Sequence, residues 1–295
     1  MAAEFLQDQA EGLRRLLAQD MVRIVTVTSG RRGVGKTSVV INLAVALARR
    51  GKYVLVIDEH EGASSAAGML GLTPHHDLLH VIKRESILED ILLRGPEGVE
   101  IVPAARGVKA LAKLDAAGQE WIVSAFGQLP HPVDVVLVDA VPGPRSETLS
   151  LSLASQEVVL TVSPDPASIT DAYALIKVLN QEYAKHHFRV LVAKAKSAEE
   201  AQAVFDNMAK AASRFLDISL DYMGSVPFDE KLRQAGRLFR PVVDAFPSAV
   251  SANAFRMLAE VVEQWPYPRE DRAHLETFMQ RLIINSRMAA EGVRF

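Results

Sequence analysis

Residues 22–40 read VRIVTVTSGRRGVGKTSVV and combine an apolar run, a glycine-containing turn and a helical pattern, in that order. The apolar run is rich in β-branched residues, as in a buried strand, and the later aliphatic residues recur at helical spacing. Gly30, Gly35, Lys36 and Thr37 match the pattern G-x-x-x-x-G-K-[ST], in which backbone N–H groups cradle phosphates. The stretch therefore predicts a nucleotide site where a central strand meets the helix that follows it.

Each fixed position of this loop meets a physical need of a bound triphosphate. Glycine lets the backbone approach the phosphate oxygens closely, and the positive end of the following helix favours an anion. Lys36 would reach the β- and γ-phosphates, and Thr37 would offer its hydroxyl to Mg²⁺. The predicted nucleotide-binding residues of the loop are Gly30, Arg31, Arg32, Gly33, Val34, Gly35, Lys36, Thr37 and Ser38.

Two aspartates follow apolar runs that predict further strands. Asp58 follows residues 53–57, and Asp139 follows residues 133–138. Because the carboxyl ends of parallel strands meet at one edge of a sheet, both should lie beside the loop. We expect Asp58, Asp139 and Lys36 to be catalytic, with Asp139 and Thr37 holding Mg²⁺, although Asp58 could equally cap the next turn. Gly143 would offer its N–H to the γ-phosphate and move when that phosphate leaves.

Strand and helix patterns alternate along the chain, which favours a mostly parallel sheet with helices on both faces. We predict one α/β domain over residues 21–266. Strands are predicted at residues 24–28, 53–57, 98–105, 133–138, 157–162, 189–193 and 222–226. Helices are predicted at residues 113–129, 167–180, 198–215 and 254–262, and residues 73–98 are predicted to be loop and short helix.

Composition excludes several kinds of site. The 295 residues include no cysteine, which removes disulfides, thiolate metal sites and a cysteine nucleophile. The net charge of −3 gives no electrostatic footprint for nucleic acid, so no direct nucleic-acid partner is expected. No apolar stretch is long enough to span a membrane, and the start of the chain does not resemble a signal peptide. We therefore expect a cytoplasmic protein.

Two terminal segments are predicted to be amphipathic helices. The segment at residues 1–20 would pack on the body or bind a partner protein. The segment at residues 267–295 begins its helix near His274, and its apolar face would dock on the domain or lie in a membrane interface. The residues of that face are Leu275, Phe278, Met279, Leu282 and Ile283.

With these motifs in place, the chain resembles the MinD/ParA class of dimerising P-loop ATPases, whose fold is a P-loop NTPase of the deviant Walker A type. Residues 168–177, SITDAYALIK, resemble a run typical of the FleN/FlhG group within that class. The resemblance extends over nearly the whole chain. The other matching stretches are residues 8–14, 214–217, 226–230 and 245–247.

The resemblance implies a regulator of flagellar number, placement and gene expression that works as an ATP-dependent switch. ATP and Mg²⁺ would be its cofactors, and Pro227 a further nucleotide contact. Two ATP-bound subunits would form a homodimer, the C-terminal helix would associate with the inner membrane, and hydrolysis would return the monomer. Gln9 and Arg14 carry over as contacts that stimulate an FlhF-type GTPase, and the flagellar master transcription activator would be a second partner.

Four positions depart from the pattern of that class, and all concern the nucleotide. Arg31 stands in place of a signature lysine, and Arg32 stands where a glycine is expected, which adds a side chain to a crowded backbone and predicts different φ/ψ angles there. His60 replaces a carboxylate, which a neutral imidazole cannot imitate, and Ala193 replaces an asparagine that reads adenine. We predict that Mg-nucleotide binds but that hydrolysis is slow or lost.

The main alternative is a pseudo-ATPase adaptor, which would bind the same partners without a hydrolysis cycle. A metabolic P-loop enzyme of the amidotransferase or iron-protein kind would need the cysteines that this chain lacks. A DNA-partition ATPase has a compatible fold, but the acidic charge balance and the apolar terminal helix argue against it.

Overall fold

The computed structural model of the chain describes residues 21–144, 149–266 and 274–291. The predicted helix at residues 1–20, with Gln9 and Arg14, lies outside the described residues.

The centre of the fold is one eight-stranded sheet in the order β3-β4-β2-β5-β1-β6-β7-β8. All neighbouring pairs are parallel except β3 with β4. The loop-bearing strand β1 therefore lies between β5 and β6 in the middle of the sheet. The strands are β1 (Arg23–Thr28), β2 (Val54–Asp58), β3 (Leu93–Arg94), β4 (Glu100–Pro103), β5 (Val135–Asp139), β6 (Glu157–Val162), β7 (His187–Ala195) and β8 (Ser219–Pro227).

Helices connect the parallel strands and cover the sheet. Short 3₁₀ turns occupy residues Gly62–Ser64 and Pro96–Gly98. The α-helices are α1 (Lys36–Ala48), α2 (Ala66–Met69), α3 (Leu78–Ile82), α4 (Leu88–Ile91), α5 (Ala105–Leu111), α6 (Ala116–Gly127), α7 (Ser150–Ala154), α8 (Pro166–Tyr183), α9 (Ala198–Phe215), α10 (Glu230–Arg237), α11 (Val242–Ala245), α12 (Val250–Gln264) and α13 (Leu275–Glu291).

Alternate residues of the central strands face opposite sides of the sheet, and both sides are buried. Val25 and Val27 of β1 belong to an apolar cluster with α1 and α12, whereas Ile24 belongs to a second cluster that includes residues of α3 to α7 and α13. A third apolar cluster joins β6 and β7 to α8 and α9. Because helices cover both faces, the strands read as continuous apolar runs, and the prediction of a mostly parallel, doubly covered sheet is confirmed.

The C-terminal helix α13 packs against α5, α6 and α7. Its apolar face is buried, and Arg287 donates to the carbonyl of Leu114. Of the two interpretations of this face, docking on the domain is the one seen in this conformation, and the residues predicted to face a membrane are covered by the body. The buried residues are Leu275, Phe278, Met279, Leu282 and Ile283. Among the described residues, no helix is long and apolar enough to cross a membrane.

The prediction of a strand or helix was correct wherever a long apolar pattern was present. The helix predicted at residues 198–215 matches α9, and the strand predicted at residues 98–105 contains β4. The prediction for residues 73–98 missed the edge strand β3, which is only two residues long. The short helices α2, α5, α7, α10 and α11 were also missed.

Candidate nucleotide-binding site

The loop between β1 and α1 has the backbone geometry that a phosphate cradle requires. Gly33 and Gly35 have φ angles of 85° and 101°, a region that favours glycine, and Gly35 immediately precedes α1. Gly30 is needed for a different reason, since a Cβ there would lie 2.2 Å from the backbone carbon of Asp171 in α8. The predicted loop residues therefore lie together at the N-terminus of α1.

The two arginines of the loop point outward. Arg32 is exposed and is absent from the described non-glycine residues with positive φ, so its backbone does not use the conformation that favours glycine. Arg31 lies 3.3 Å from the Asp165 carboxylate and 3.7 Å from the Asp171 carboxylate of its own chain. In this conformation the guanidinium is held by α8, and it would have to leave these carboxylates to reach a second subunit.

Lys36 and Asp139 form a buried ion pair at the base of the loop. The side chains are 6% and 0% exposed, and Lys36 Nζ donates to Asp139 Oδ1. On the neighbouring strand Asp58 aligns with Asp139 in register, as predicted for two strands that end at one edge. A buried charge is tolerated only when it is paired, so each member of this group depends on the others.

His60 lies among these charges. Its Nε2 is 3.3 Å from Lys36 Nζ, and its Nδ1 is 3.4 Å from Asp58 Oδ1 and 3.3 Å from Asp139 Oδ2. Burial alone would lower the pKa of His60, but the two carboxylates outweigh it and raise that pKa to about 9. The assumption that His60 is neutral is therefore wrong near neutral pH. Burial would raise the pKa of Asp139, but Lys36 and His60 together lower it.

Asp58 has the capping role that the sequence left open. Its Oδ2 accepts the N–H of Ala66 at the start of α2, at 2.6 Å, and its Oδ1 accepts the N–H of His60 at 3.0 Å. Two backbone donors thus fix this carboxylate beside Asp139.

Glu59 is a site residue that the sequence analysis did not single out. Its carboxylate accepts the N–H of Val141 at 2.7 Å and so joins the end of β2 to the segment after β5. Burial raises the pKa of Glu59 to about 7, although the hydrogen bond from Val141 opposes the shift. Its position directly after Asp58, at the end of a strand, was the only available signal.

Gly143 closes the other side of the loop. Its φ angle is 109°, and its N–H donates to the carbonyl of Ser29 at 3.0 Å. The predicted contact with a γ-phosphate would require this N–H to leave Ser29. A cleft of about 1060 Å³ lies here and is lined by the loop, Glu59, His60 and the end of α13.

A second cavity, of about 550 Å³, adjoins the loop on the side of β7 and β8. Ala193, the position that the resemblance ties to adenine, and Pro227, the further nucleotide contact, both line it, together with Ser38. Lys194 also lines this cavity and donates to the carbonyl of Gly33. Its φ of 63° is rare for a residue with a side chain, and sequence patterns gave no sign of it.

The residues present fit a divalent cation. Asp139 Oδ2 is buried without a hydrogen-bond partner, and Thr37 lines the same cleft at the start of α1. Thr37 and Asp139 would hold Mg²⁺, which when bound neutralises phosphate charge.

The geometry of loop, lysine and paired strand-end carboxylates agrees with a comparison against protein families. The model of the CobQ/CobB/MinD/ParA nucleotide binding domain matches residues 25–242. The chain belongs to this family.

Relatives within the CobQ/CobB/MinD/ParA family match along most of the chain. Antiactivator FleN of Pseudomonas aeruginosa is 41% identical over 271 residues, which are 92% of this chain and 97% of FleN. The flagellum site-determining protein YlxH of Helicobacter pylori is 27% identical, covering 88% of this chain and 90% of YlxH. Septum site-determining protein MinD of Pyrococcus horikoshii, solved with Mg-ADP, has a TM-score of 0.65 and 25% identity, covering 83% of this chain and 97% of MinD.

Proposed function

We propose that this chain is an ATP-binding regulator of flagellar number, placement and gene expression that works as a nucleotide-dependent dimer switch. The observation that carries the proposal is the 41% identity to antiactivator FleN along 92% of the chain. The name of the second relative, a flagellum site-determining protein, points to the same process.

The geometry of the site supports a switch because Lys36, the cation at its centre, is already paired within the protein. Lys36 neutralises Asp139, and Gly143 is bonded to Ser29. A triphosphate would draw Lys36 away from Asp139 and compete for the N–H of Gly143. Both changes would alter the segment after β5, so phosphate binding would change the shape of the face that a second subunit would meet.

We propose weak rather than absent ATP hydrolysis. Lys36, Thr37 and Asp139 supply phosphate and Mg²⁺ contacts, while His60 places an imidazole where the MinD/ParA resemblance expects a carboxylate. Arg31 would clamp the partner subunit's phosphate only after leaving Asp165 and Asp171. The second candidate is a pseudo-ATPase adaptor. The pairing of Lys36 with Asp139 favours it, because this lysine is already engaged within the protein.

The finer parts of the proposal concern partners and location. Gln9 and Arg14 would contact an FlhF-type GTPase, and the flagellar master transcription activator would be a further partner. The protein would work in the cytoplasm and reach the inner membrane only when α13 leaves the body, since its apolar face is buried.

The test is to delete the chain from its host, count and locate the flagella, and then return wild type, Lys36→Ala or Lys83→Ala. Lys83 is an exposed lysine outside the site and serves as the matched control. We expect wild type and the control to restore flagellar number and Lys36→Ala to fail. Unchanged flagella after deletion would refute the flagellar role.

Purified protein separates the two candidates. ATP-dependent dimerisation by light scattering, with slow turnover that Lys36→Ala abolishes, supports the switch. If nucleotide binds without dimerisation or turnover, and Lys36→Ala restores the flagella, the adaptor is correct.

A further inference from the structure

Side chains of Asp58, His60 and Asp139 converge beneath the loop, and hydrogen bonding leaves two of their polar atoms unsatisfied. One side-chain ligand atom from each of Asp58, His60 and Asp139 lies within 4.8 Å of the other two. His60 Nδ1 and Asp139 Oδ2 are buried and have no hydrogen-bond partner, although they lie only 3.3 Å apart. Buried polar atoms are normally satisfied, so two unsatisfied atoms that face one another indicate a missing common ligand.

The spacing of these atoms is that of ligands on one ion. Two donors bonded to an ion at about 2.1 Å lie about 3.0 Å apart at a right angle and about 3.4 Å apart at a tetrahedral angle. The observed separations from His60 Nδ1 are 3.3 Å to Asp139 and 3.4 Å to Asp58. Asp58 is also fixed by the N–H groups of His60 and Ala66, as a ligand with a good outer shell should be.

The nitrogen atom decides which ion fits. Mg²⁺ prefers oxygen ligands in an octahedron, whereas imidazole suits first-row transition ions. We propose that His60 Nδ1, Asp58 and Asp139 bind the divalent ion of this site directly and that the site therefore favours a transition ion such as Mn²⁺ over Mg²⁺. The inference rests on the proposed nucleotide function, since it concerns the ion that accompanies the nucleotide.

Lys36 competes with the ion. With Lys36 bound to Asp139, its ammonium neutralises one of the two carboxylate charges, and an ion on Nδ1 must also displace the proton that His60 holds near neutral pH. A metal on Nδ1 also leaves the proton of the ring on Nε2, which lies 3.3 Å from Lys36 Nζ. The ion therefore binds tightly only after Lys36 has moved to phosphate, and metal and nucleotide bind cooperatively.

The test is pulsed electron paramagnetic resonance of Mn²⁺ bound to the whole chain with a non-hydrolysable ATP analogue. We expect the Mn²⁺ signal to show modulation from a directly bound ¹⁴N nucleus. This modulation should change when histidine is labelled with ¹⁵N. His60→Asp should keep Mn²⁺ and lose the nitrogen signal, and Mg²⁺ should then displace Mn²⁺ at about 10-fold lower concentration than in wild type. His75→Asp changes an exposed histidine and should behave as wild type.

A second variant separates failure of this proposal from failure of nucleotide binding. Lys36→Met removes the competing ammonium, so it should bind Mn²⁺ through nitrogen without nucleotide, whereas nucleotide-free wild type should bind it weakly. Binding of a fluorescent ATP analogue reports the nucleotide site independently. The proposal is wrong if neither wild type with nucleotide nor Lys36→Met gives a nitrogen signal. It is also wrong if Mg²⁺ displaces Mn²⁺ equally well from wild type and from His60→Asp.

Discussion

Single residues in this site are constrained by close packing as much as by charge. Lys36 and Asp139 are paired out of water, and the loop that surrounds them is pressed against the first turns of α8. Because the backbone of Asp171 passes so close to Gly30, the position of α8 and the shape of the loop are linked. Arg31 reinforces this link through carboxylates on α8 and just before it.

Gly30→Ala should therefore destabilise the protein and weaken nucleotide binding. The new Cβ would lie 2.2 Å from backbone that cannot rotate away, so α8 or the loop must shift, at a cost of about 2 kcal/mol or more. Gly236→Ala is the matched control, because the space around Gly236 in α10 is open and alanine favours a helix by about 0.5 to 1 kcal/mol. Urea unfolding and binding of a fluorescent ATP analogue measure both effects. Equal stability of the two variants would show that α8 and the loop are not tightly packed in solution.

At the scale of elements, the sequence predicted the strands and helices that have a regular apolar pattern. It missed features that depend on residues far away in the sequence. The central strands and the helix at residues 198–215 have long, regular patterns, so their prediction was sound. The two-residue strand β3 has no periodicity to detect. The protonation of His60 was misjudged because its carboxylate neighbour Asp139 is remote in sequence.

The placement of α13 shows the same limit, since one apolar face suits either a protein groove or a lipid surface. Phe278→Ala should cost about 3 to 5 kcal/mol, because Phe278 is 1% exposed within the cluster formed with α6 and α7. Ile284→Ala, on the same helix but 56% exposed, should change the free energy of unfolding by less than about 0.5 kcal/mol. Chemical denaturation of both variants measures the difference, with hydrogen exchange to report the protection of α13. A negligible effect of Phe278→Ala would mean that α13 is undocked most of the time.

Over the whole molecule, the buried charges of the site should make stability depend on pH in a way that ordinary surface charges do not. His60 and Glu59 both bind a proton more tightly in the folded protein than in the unfolded chain. Such groups stabilise the fold at low pH and lose that contribution as the pH rises through the folded pKa. Asp139 acts in the opposite sense, because its lowered pKa gives stability that is lost as the pH falls.

The nucleotide-free protein should therefore be most stable in mildly acidic solution. The contribution of Glu59 to the free energy of unfolding is complete below its ordinary pKa of 4.5 and is lost as the pH rises to its folded pKa of about 7. The contribution of His60 is complete below its ordinary pKa of 6.5 and is lost as the pH rises to its folded pKa of about 9. After allowance for solvent screening, the His60 contribution is on the order of 1 to 2 kcal/mol. The free energy of unfolding, measured by denaturant titration from pH 5 to pH 9, should fall steadily.

Two variants show which side chain causes which part of the pH dependence of the free energy of unfolding. His60→Gln should flatten the curve between pH 6.5 and 9, and Glu59→Gln should flatten it between pH 4.5 and 7. His75→Gln, at an exposed position, should leave the whole curve unchanged. The slopes of the curves are compared, and not their absolute values, because either site variant can lower the free energy of unfolding at every pH by losing a contact. Curves parallel to wild type for both site variants would mean that these groups titrate normally, and that the charges beneath the loop are solvated more fully than their burial indicates.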